Sequence, residues 1–207
     1  MTVDQEAAMG RRDRKKQQTR AALITAALRL VSERGVDAVT VEDISDAADV
    51  SSRTFFNYFS CKNEALTGDA IRDNHRLLER LAAVPADVPT IGAVRLALEE
   101  TLQEMQANQE LWLLRMQVVD RNPSLLPRLV ASGVETERAL AGLIAARTGV
   151  DPDTDVYPAL VAAVASAACR VAAARWFASG GHRLLTELVD EAFATLAAGL
   201  PDPRPIL

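Results

Sequence analysis

The chain has 207 residues, of which 49% are hydrophobic and 25% charged, and its net charge is −5. This composition is typical of a globular protein of one or two domains and excludes a disordered chain or a small disulfide-stapled fold. Cys61 and Cys169 lie too far apart in sequence to indicate a disulfide framework or a paired-cysteine zinc site. The N-terminus lacks a secretory signal pattern, and no run reaches about 18 strongly apolar residues. We therefore expect a cytoplasmic protein with no membrane contact.

The charge is distributed unevenly along the chain. Residues 11–34 contain eight arginines and lysines but only two acidic residues, a local charge of +6, which leaves −11 for the rest. A short basic segment on an acidic body is typical of a protein that touches a polyanion at one end. A solvated helix would give the same charge pattern. We expect a flexible basic arm over residues 1–14 and keep both explanations open.

Apolar residues recur at the spacing of an α-helix over residues 16–34. The residues that would share its buried face are Leu23, Ala27, Leu30 and Val31. Gly35 follows them in the position of a C-terminal cap. The sequence therefore predicts a first helix that ends at Arg34.

Three further helices are predicted immediately after it. Thr40 stands three residues before an aspartate, which is the spacing of a capping box, and begins a short second helix. After a turn of three residues, Ser51 would cap a third helix over residues 52–59. A long fourth helix is expected over residues 62–81 and ends before two prolines.

The remainder of the chain predicts five more helices, separated by prolines and glycines. They are expected at residues 90–107, 109–121, 124–147, 155–179 and 183–199. No strand pattern or repeat is convincing, so we predict an all-α protein of about nine helices. Its expected organisation is a small N-terminal unit over residues 15–68, a larger helical unit over residues 69–200 and a loose tail over residues 201–207.

The second and third predicted helices have the lengths of a helix-turn-helix, whose second helix enters the major groove of DNA. At 100° per residue, Phe55 and Phe59 share one face of the third helix and suit a core. Arg53 and Asn57 then fall on the opposite face. Arginine can pair with guanine and asparagine with adenine, so this outward face has the chemistry of a DNA reader. A solvated face of an ordinary bundle is the alternative.

The stretch from Arg29 to Leu66 resembles the DNA-binding region of TetR-type transcriptional regulators, over about residues 15–68. The residues that match the family motif are Gly35, Thr40, Val41, Val50, Ser51, Thr54, Phe55, Phe56, Phe59, Lys62, Glu64 and Leu66. The chain departs from the motif at Asp49, where the family often has glycine, and at Phe56, where tyrosine is common. Since a phenylalanine ring has no hydroxyl for a phosphate, packing or a contact with a thymine methyl remain open for Phe56.

The resemblance implies which side chains contact DNA. Phosphate contacts are expected from Thr40, Ser51, Thr54, Tyr58 and Lys62. Base-edge contacts are expected from Ser52, Arg53 and Asn57, and contacts with the backbone or minor groove from Arg14 and Lys15. The implied partner is double-stranded operator DNA of palindromic sequence, bound by a homodimeric repressor.

The C-terminal helices are similar to a branch of the family whose sensor domain binds acyl-CoA-like ligands. The similar features are the turn at residues 122–125, the run at residues 149–153, the pair Arg175-Trp176 and residues 188–192. In that family the last two long helices pair across a two-fold axis, and the many alanines between Ala162 and Ala174 would allow close approach. The residues expected to line an effector cavity are Met105, Trp112, Arg115, Met116, Val119, Tyr157, Cys169, Arg170 and Trp176. Arg115 or Arg170 would meet an anionic group of the ligand.

Other chemistries have little support in the sequence. The two histidines, His75 and His182, lie in separate elements, so we predict no metal site. No nucleophile elbow or phosphate loop occurs, so we predict neither catalysis nor a cofactor. A thiol switch at Cys61 stays open. The alternative to a regulator is a cytosolic small-molecule binding protein or helical enzyme without DNA binding.

Overall fold

The structure, a computed structural model, describes residues 3–67 and 70–202, and the side chains of residues 14–67 and 76–202. Within those ranges the secondary structure is helical and contains no β-strand, which confirms the all-α prediction. The side chain of His75 and residues 203–207 of the predicted tail lie outside the described part of the chain.

Ten α-helices and one 3-10 turn make up the described fold. The α-helices are α1 (Val3–Arg34), α2 (Val41–Ala47), α3 (Ser52–Phe56), α4 (Lys62–Thr67), α5 (Ala70–Ala83), α6 (Thr90–Ala107), α7 (Gln109–Arg121), α8 (Leu126–Thr148), α9 (Tyr157–Ala178) and α10 (Leu185–Ala197). The 3-10 turn, Pro123–Leu125, precedes α8.

The predicted bounds of the C-terminal helices agree with the observed ones to within two residues. Three predictions near the N-terminus differ from the structure. The residues predicted as one long fourth helix, 62–81, are described as two helices, α4 and α5, and residues 68 and 69 lie outside the described part of the chain. α1 begins at Val3, so residues 3–14 of the segment predicted as a flexible arm are helical. α3 ends at Phe56 rather than at residue 59, because the chain tightens there: the Tyr58 N–H donates to the Phe55 carbonyl at 2.9 Å, an i→i+3 bond.

The chain divides into two compact units. One is formed by Met1–Asp69 and Leu114–Pro127, and the other by Ala70–Leu113 and Arg128–Leu207. α7 therefore contributes residues to both units. The sequence placed the unit boundary near residue 68 but did not anticipate that residues 114–127 belong to the first unit.

The core of the first unit is formed by the apolar faces of α1 to α4. Its fully or almost fully buried side chains include Leu23, Ala27, Leu28, Val31, Ile44, Phe55, Phe59 and Leu66. Phe55 and Phe59 lie with their ring centroids 5.5 Å apart. This burial confirms the prediction that the two phenylalanines form the inward face of the helix-turn-helix.

The second unit is built around α9, which packs against α10 and α6. α9 turns small side chains towards these neighbours, and Ala162, Ala165, Ala168 and Ala172 are buried. Without large side chains between them, helix axes can approach closely. By length and composition α9 alone, among the helices searched, could also cross a membrane. One third of its apolar stretch is buried within the described fold.

Two glutamines close the loop between α9 and α10. The Gln109 side-chain amide donates to the Gly181 carbonyl at 3.1 Å, and the Gln106 amide donates to the Gln109 side-chain oxygen at 2.7 Å. The Gln106 oxygen accepts the Leu185 N–H at 2.9 Å, which satisfies a donor at the start of α10. Gly181 has φ +77°, a left-handed conformation.

Gly181→Ala is expected to lower the free energy of unfolding by about 2–3 kcal/mol, because a left-handed alanine is strained and the glutamine hydrogen bonds would be lost. A Cβ at residue 181 would lie 2.1 Å from Gln109 Nε2. The control is Gly142→Ala in α8, where an added Cβ meets no atom within 4 Å and helix propensity should add up to about 1 kcal/mol. Chemical denaturation of both variants tests this, and equal changes would contradict it.

Candidate nucleic-acid interface

A reciprocal pair of hydrogen bonds begins α2. The Thr40 hydroxyl accepts the Asp43 N–H at 3.1 Å, and the Asp43 carboxylate accepts the Thr40 hydroxyl at 2.6 Å and the Thr40 N–H at 2.8 Å. These bonds from Thr40 lower the pKa of Asp43. The arrangement confirms the predicted capping box. Since the Thr40 hydroxyl already donates to Asp43, a phosphate contact by that hydroxyl requires this bond to be exchanged.

The turn between α2 and α3 needs a left-handed residue. Asp49 has φ +54°, and the next residue, Val50, donates its N–H to the Ser45 carbonyl at 3.0 Å. Glycine adopts this conformation without strain, and aspartate is among the few other residues that tolerate it. The geometry accounts for Asp49 at one of the two positions where the sequence departs from the motif.

Ser51 begins α3 and holds its first turn. Its hydroxyl accepts the Thr54 N–H at 3.2 Å and lies 3.0 Å from the Thr54 hydroxyl. An N-cap serine of this kind satisfies a backbone donor that the helix itself leaves unpaired. The two hydroxyls predicted to contact phosphate are therefore held side by side at the start of α3.

The outward face of α3 carries the side chains predicted to read bases. Arg53 and Asn57 are exposed, and Ser52 is half-buried. On the opposite face, Phe59 is buried and the Arg20 guanidinium lies 5.0 Å from its ring centroid. The structure thus separates a polar, accessible face from the aromatic core, and Arg14 and Lys15 are also exposed, on α1.

Sequence comparison identifies this architecture. A model for bacterial regulatory proteins of the tetR family matches residues 23–66, and a model for the MftR C-terminal domain matches residues 88–201. The HTH-type transcriptional regulator TcmR of Streptomyces glaucescens is 34% identical to this chain over 174 residues, covering 81% of this chain and 77% of TcmR. The chain belongs to the TetR family of bacterial transcriptional regulators.

Solved structures of other bacterial repressors share the fold. FadR of Thermus thermophilus, a transcriptional repressor determined in complex with lauroyl-CoA, has a TM-score of 0.55 at 21% identity and covers 90% of this chain and 97% of its own. SmeT, the repressor of the Stenotrophomonas maltophilia multidrug efflux pump SmeDEF, has a TM-score of 0.57 at 18% identity. The match covers 91% of this chain and 100% of SmeT. The predicted all-α fold with a helix-turn-helix head is therefore confirmed.

Lys62 has a structural role in the TetR head that sequence reasoning missed. Its ammonium group donates to the Val36 carbonyl at 2.5 Å and to the Val39 carbonyl at 2.8 Å, across the loop between α1 and α2. Lys62 is half-buried rather than projecting freely into solvent. Because an ammonium group has three N–H donors, the predicted phosphate contact would use the third. The bonded carbonyls are more than 20 residues away in sequence, so no local pattern signalled this contact.

Lys62→Met should lower the free energy of unfolding by about 2 kcal/mol, since it removes two hydrogen bonds from a charged donor while keeping most of the aliphatic stem. Lys16→Met is the matched control, because Lys16 is exposed on α1. Its effect should stay within about 0.5 kcal/mol. Urea denaturation measures both, and a Lys62 variant as stable as the control would contradict the role.

The residues predicted to line an effector cavity divide between the two units. Met105, Trp112, Tyr157, Cys169, Arg170 and Trp176 belong to the second unit, whereas Arg115, Met116 and Val119 belong to the first. Met105 and Trp112 are half-buried. Burial raises the pKa of Cys169 to about 11, so that thiol stays neutral at physiological pH.

Two members of this predicted set differ sharply in position. Trp176 is fully buried, and its indole N–H has no acceptor among the described residues. Arg170 is exposed and pairs with Glu137 at 3.2 Å. This position does not fit the expectation that Arg170 meets a ligand inside the unit. The helical period alone could not distinguish these faces of α9, because alanines surround the helix on almost every side.

A polar groove of about 500 Å³ beside α6 and α10 was not predicted. Arg95 pairs there with Asp190 at 2.5 Å and with Glu99 at 2.6 Å. Burial lowers the pKa of Arg95, but the hydrogen bonds that Arg95 donates to these two carboxylates, together with their negative charge, raise it by more. Of these two ion pairs, only the one between Arg95 and Glu99 could have been predicted from the sequence, because the two residues lie one helical turn apart.

An apolar groove of about 430 Å³ runs along the surface of α9 and α10. Its lining includes Val164, Ala167, Val171, Ala192, Leu196 and Leu200. Val171 and Leu200 are more than half exposed, so this surface leaves large apolar side chains in contact with water. Apolar patches of this kind mark association surfaces.

Proposed function

We propose that this TetR-family regulator is a cytoplasmic homodimeric repressor, which binds a palindromic operator and is released by a small hydrophobic or acyl-CoA-like effector. The observation that carries the proposal is the outward face of α3. Arg53 and Asn57 are exposed there, while Phe55 and Phe59 anchor the other side in the core. A short helix held in this way can present a guanidinium and an amide to base edges.

Phosphate contacts would orient the head on the duplex. The hydroxyls of Ser51 and Thr54 are adjacent, and Lys62 holds the loop that precedes Thr40. The local charge of +6 over residues 11–34 favours approach to DNA, although the whole chain is acidic. These contacts supply affinity and register, whereas Ser52, Arg53 and Asn57 would supply sequence preference.

The apolar groove on α9 and α10 supports assembly as a dimer. A second copy that packs α9 and α10 against the same two helices would bury Val171 and Leu200. A two-fold interface uses the same patch on both subunits, so one self-complementary surface is sufficient. Two heads related by this axis would require an operator with two-fold symmetry.

An effector site in the second unit is supported by the buried indole of Trp176. A buried N–H without an acceptor costs about 1–3 kcal/mol, and a carbonyl or similar oxygen of a bound molecule would satisfy it. The acyl-CoA class is suggested by the Thermus thermophilus FadR complex with lauroyl-CoA. Half-buried Met105 and Trp112 would suit the apolar part of such a ligand.

The test of DNA recognition is a footprint on fragments from upstream of the protein's own gene. We expect a protected near-palindrome whose half-site centres lie about 10 bp apart, or a small multiple of that spacing. Light scattering at micromolar concentration should give a dimer. A footprint without two-fold symmetry, or a monomer, would contradict the proposal.

The effector should weaken operator binding, and the operator should weaken effector binding, by the same factor. An effector that releases DNA must bind the two states unequally, with a coupling of about 1–3 kcal/mol, and by linkage the operator must weaken effector binding equally. Calorimetry with acyl-CoAs of increasing chain length, with and without operator DNA, measures both affinities. Absence of heat at every length, or binding that leaves operator affinity unchanged, would exclude acyl-CoA as the effector.

A further inference from the structure

The outward face of α3 also carries one large apolar side chain, Phe56. Its side chain is 56% exposed, whereas its neighbours Phe55 and Phe59 are almost fully buried. Its ring makes a T-shaped contact with that of Phe55, with centroids 5.6 Å apart. This contact covers part of the ring, but more than half of the side chain stays open to solvent. Of the two explanations that the sequence left open for Phe56, packing therefore explains little.

The position of Phe56 limits what could cover it. It follows Arg53 by three residues and precedes Asn57 directly, so all three exposed side chains belong to the segment that would meet the major groove. A phenyl ring has no hydrogen-bond donor or acceptor for a phosphate or a base edge. The apolar group that the major groove offers to such a ring is the C5 methyl of thymine.

We propose that Phe56 is a specificity-determining residue that recognises a thymine methyl in each half-site of the operator. The inference rests on the DNA-binding function proposed above and adds the chemical group that is recognised. The major groove offers a partner to both side chains. Its base edges and phosphates suit Arg53, and a thymine methyl suits the exposed ring of Phe56. Phe56 would thereby favour an A·T pair beside the base that Arg53 contacts.

The expected effect follows from the size of one methyl group. Burying one such group is worth a factor of about four in affinity. Since both half-sites would contribute, removing the methyls from both should weaken the dimer by about fifteenfold. Deoxyuridine lacks only this methyl and pairs with adenine as thymine does, so a dT-to-dU replacement changes nothing else at the base edge.

The experiment uses full-length protein and a duplex that the wild type enriches from a randomised pool. Each symmetric pair of thymines is replaced by deoxyuridine in turn, and affinities are measured by fluorescence polarisation. For the wild type, we expect one symmetric pair to give the fifteenfold loss. For Phe56→Ala, that replacement should have no effect, and the variant should bind the normal duplex at least about fifteenfold more weakly than the wild type does. Thermal melting checks that the variant is folded, as the exposed position leads us to expect.

The outcomes separate this inference from the proposed function. If wild-type protein binds the enriched duplex tightly and no thymine position responds, recognition of a methyl by Phe56 is wrong while DNA binding stands. Methyl recognition by Phe56 is equally wrong if Phe56→Ala keeps the full sensitivity to deoxyuridine. If the pool yields no preferred duplex at all, the proposed function of sequence-specific DNA binding is itself wrong.

Discussion

Val171→Glu is expected to convert the protein to a monomer and to weaken operator binding by at least about 100-fold. Val171 is 55% exposed on the apolar groove of α9 and α10, so the isolated chain should tolerate a glutamate there. In the proposed dimer the same substitution would bury a carboxylate from each subunit in the interface, which is strongly unfavourable. Each monomer would then bind a single half-site and lose the avidity that comes from two linked heads.

Val130→Glu provides the matched control. Val130 lies on α8 and is 65% exposed, and the substitution introduces the same charge at a comparably accessible valine outside the groove. Sedimentation velocity should find this variant dimeric, with operator affinity near that of the wild type. If Val171→Glu stays dimeric, or if both variants dissociate alike, the α9 and α10 surface is not the dimer interface.

Arg53→Ala should reduce operator affinity by about 5- to 150-fold per half-site, corresponding to 1–3 kcal/mol for one base contact. Binding to random DNA should change much less, because the lost contact is to a base and not to the sugar-phosphate backbone. The variant should also discriminate less at one base pair in each half-site. Since Arg53 is exposed and outside the core, the stability of the head should not change.

Lys15→Ala is the control for the Arg53 variant. Lys15 is exposed on α1, and its predicted partner is the DNA backbone. Its loss should weaken operator and random DNA by similar factors and lower the slope of affinity against salt by about one unit. Equal losses on both DNAs for both variants would remove the assignment of Arg53 to base reading.

Local signals were sufficient to predict most of the helices and the two faces of α3. The capping box of Thr40, the N-cap of Ser51 and the apolar period that buries Phe55 and Phe59 act within a few residues, so they are readable from sequence. The exposure of Arg53 was likewise predicted from its position in the helical period. Even there, the tightened end of α3 was missed, because continuing one more turn fits the apolar period equally well.

Contacts between distant residues could not be predicted. The bonds of Lys62 to the loop after α1 and the ion pair between Arg95 and Asp190 join residues that only the folded chain brings together. The effector site was predicted least well for the same reason. Alanine-rich α9 gives no amphipathic signal, so neither the exposure of Arg170 nor the complete burial of Trp176 was visible in the sequence.

In the proposed complex, two copies of this TetR-family head read one symmetric DNA sequence. Fluorescence polarisation at about 0.15 M salt, a physiological ionic strength, with the enriched palindrome and a scrambled duplex of equal composition, tests it most directly. We expect the palindrome to bind at least about 10³-fold more tightly than the scrambled duplex. Two protein chains should bind each palindrome. Equal affinity for the two duplexes would contradict the claim.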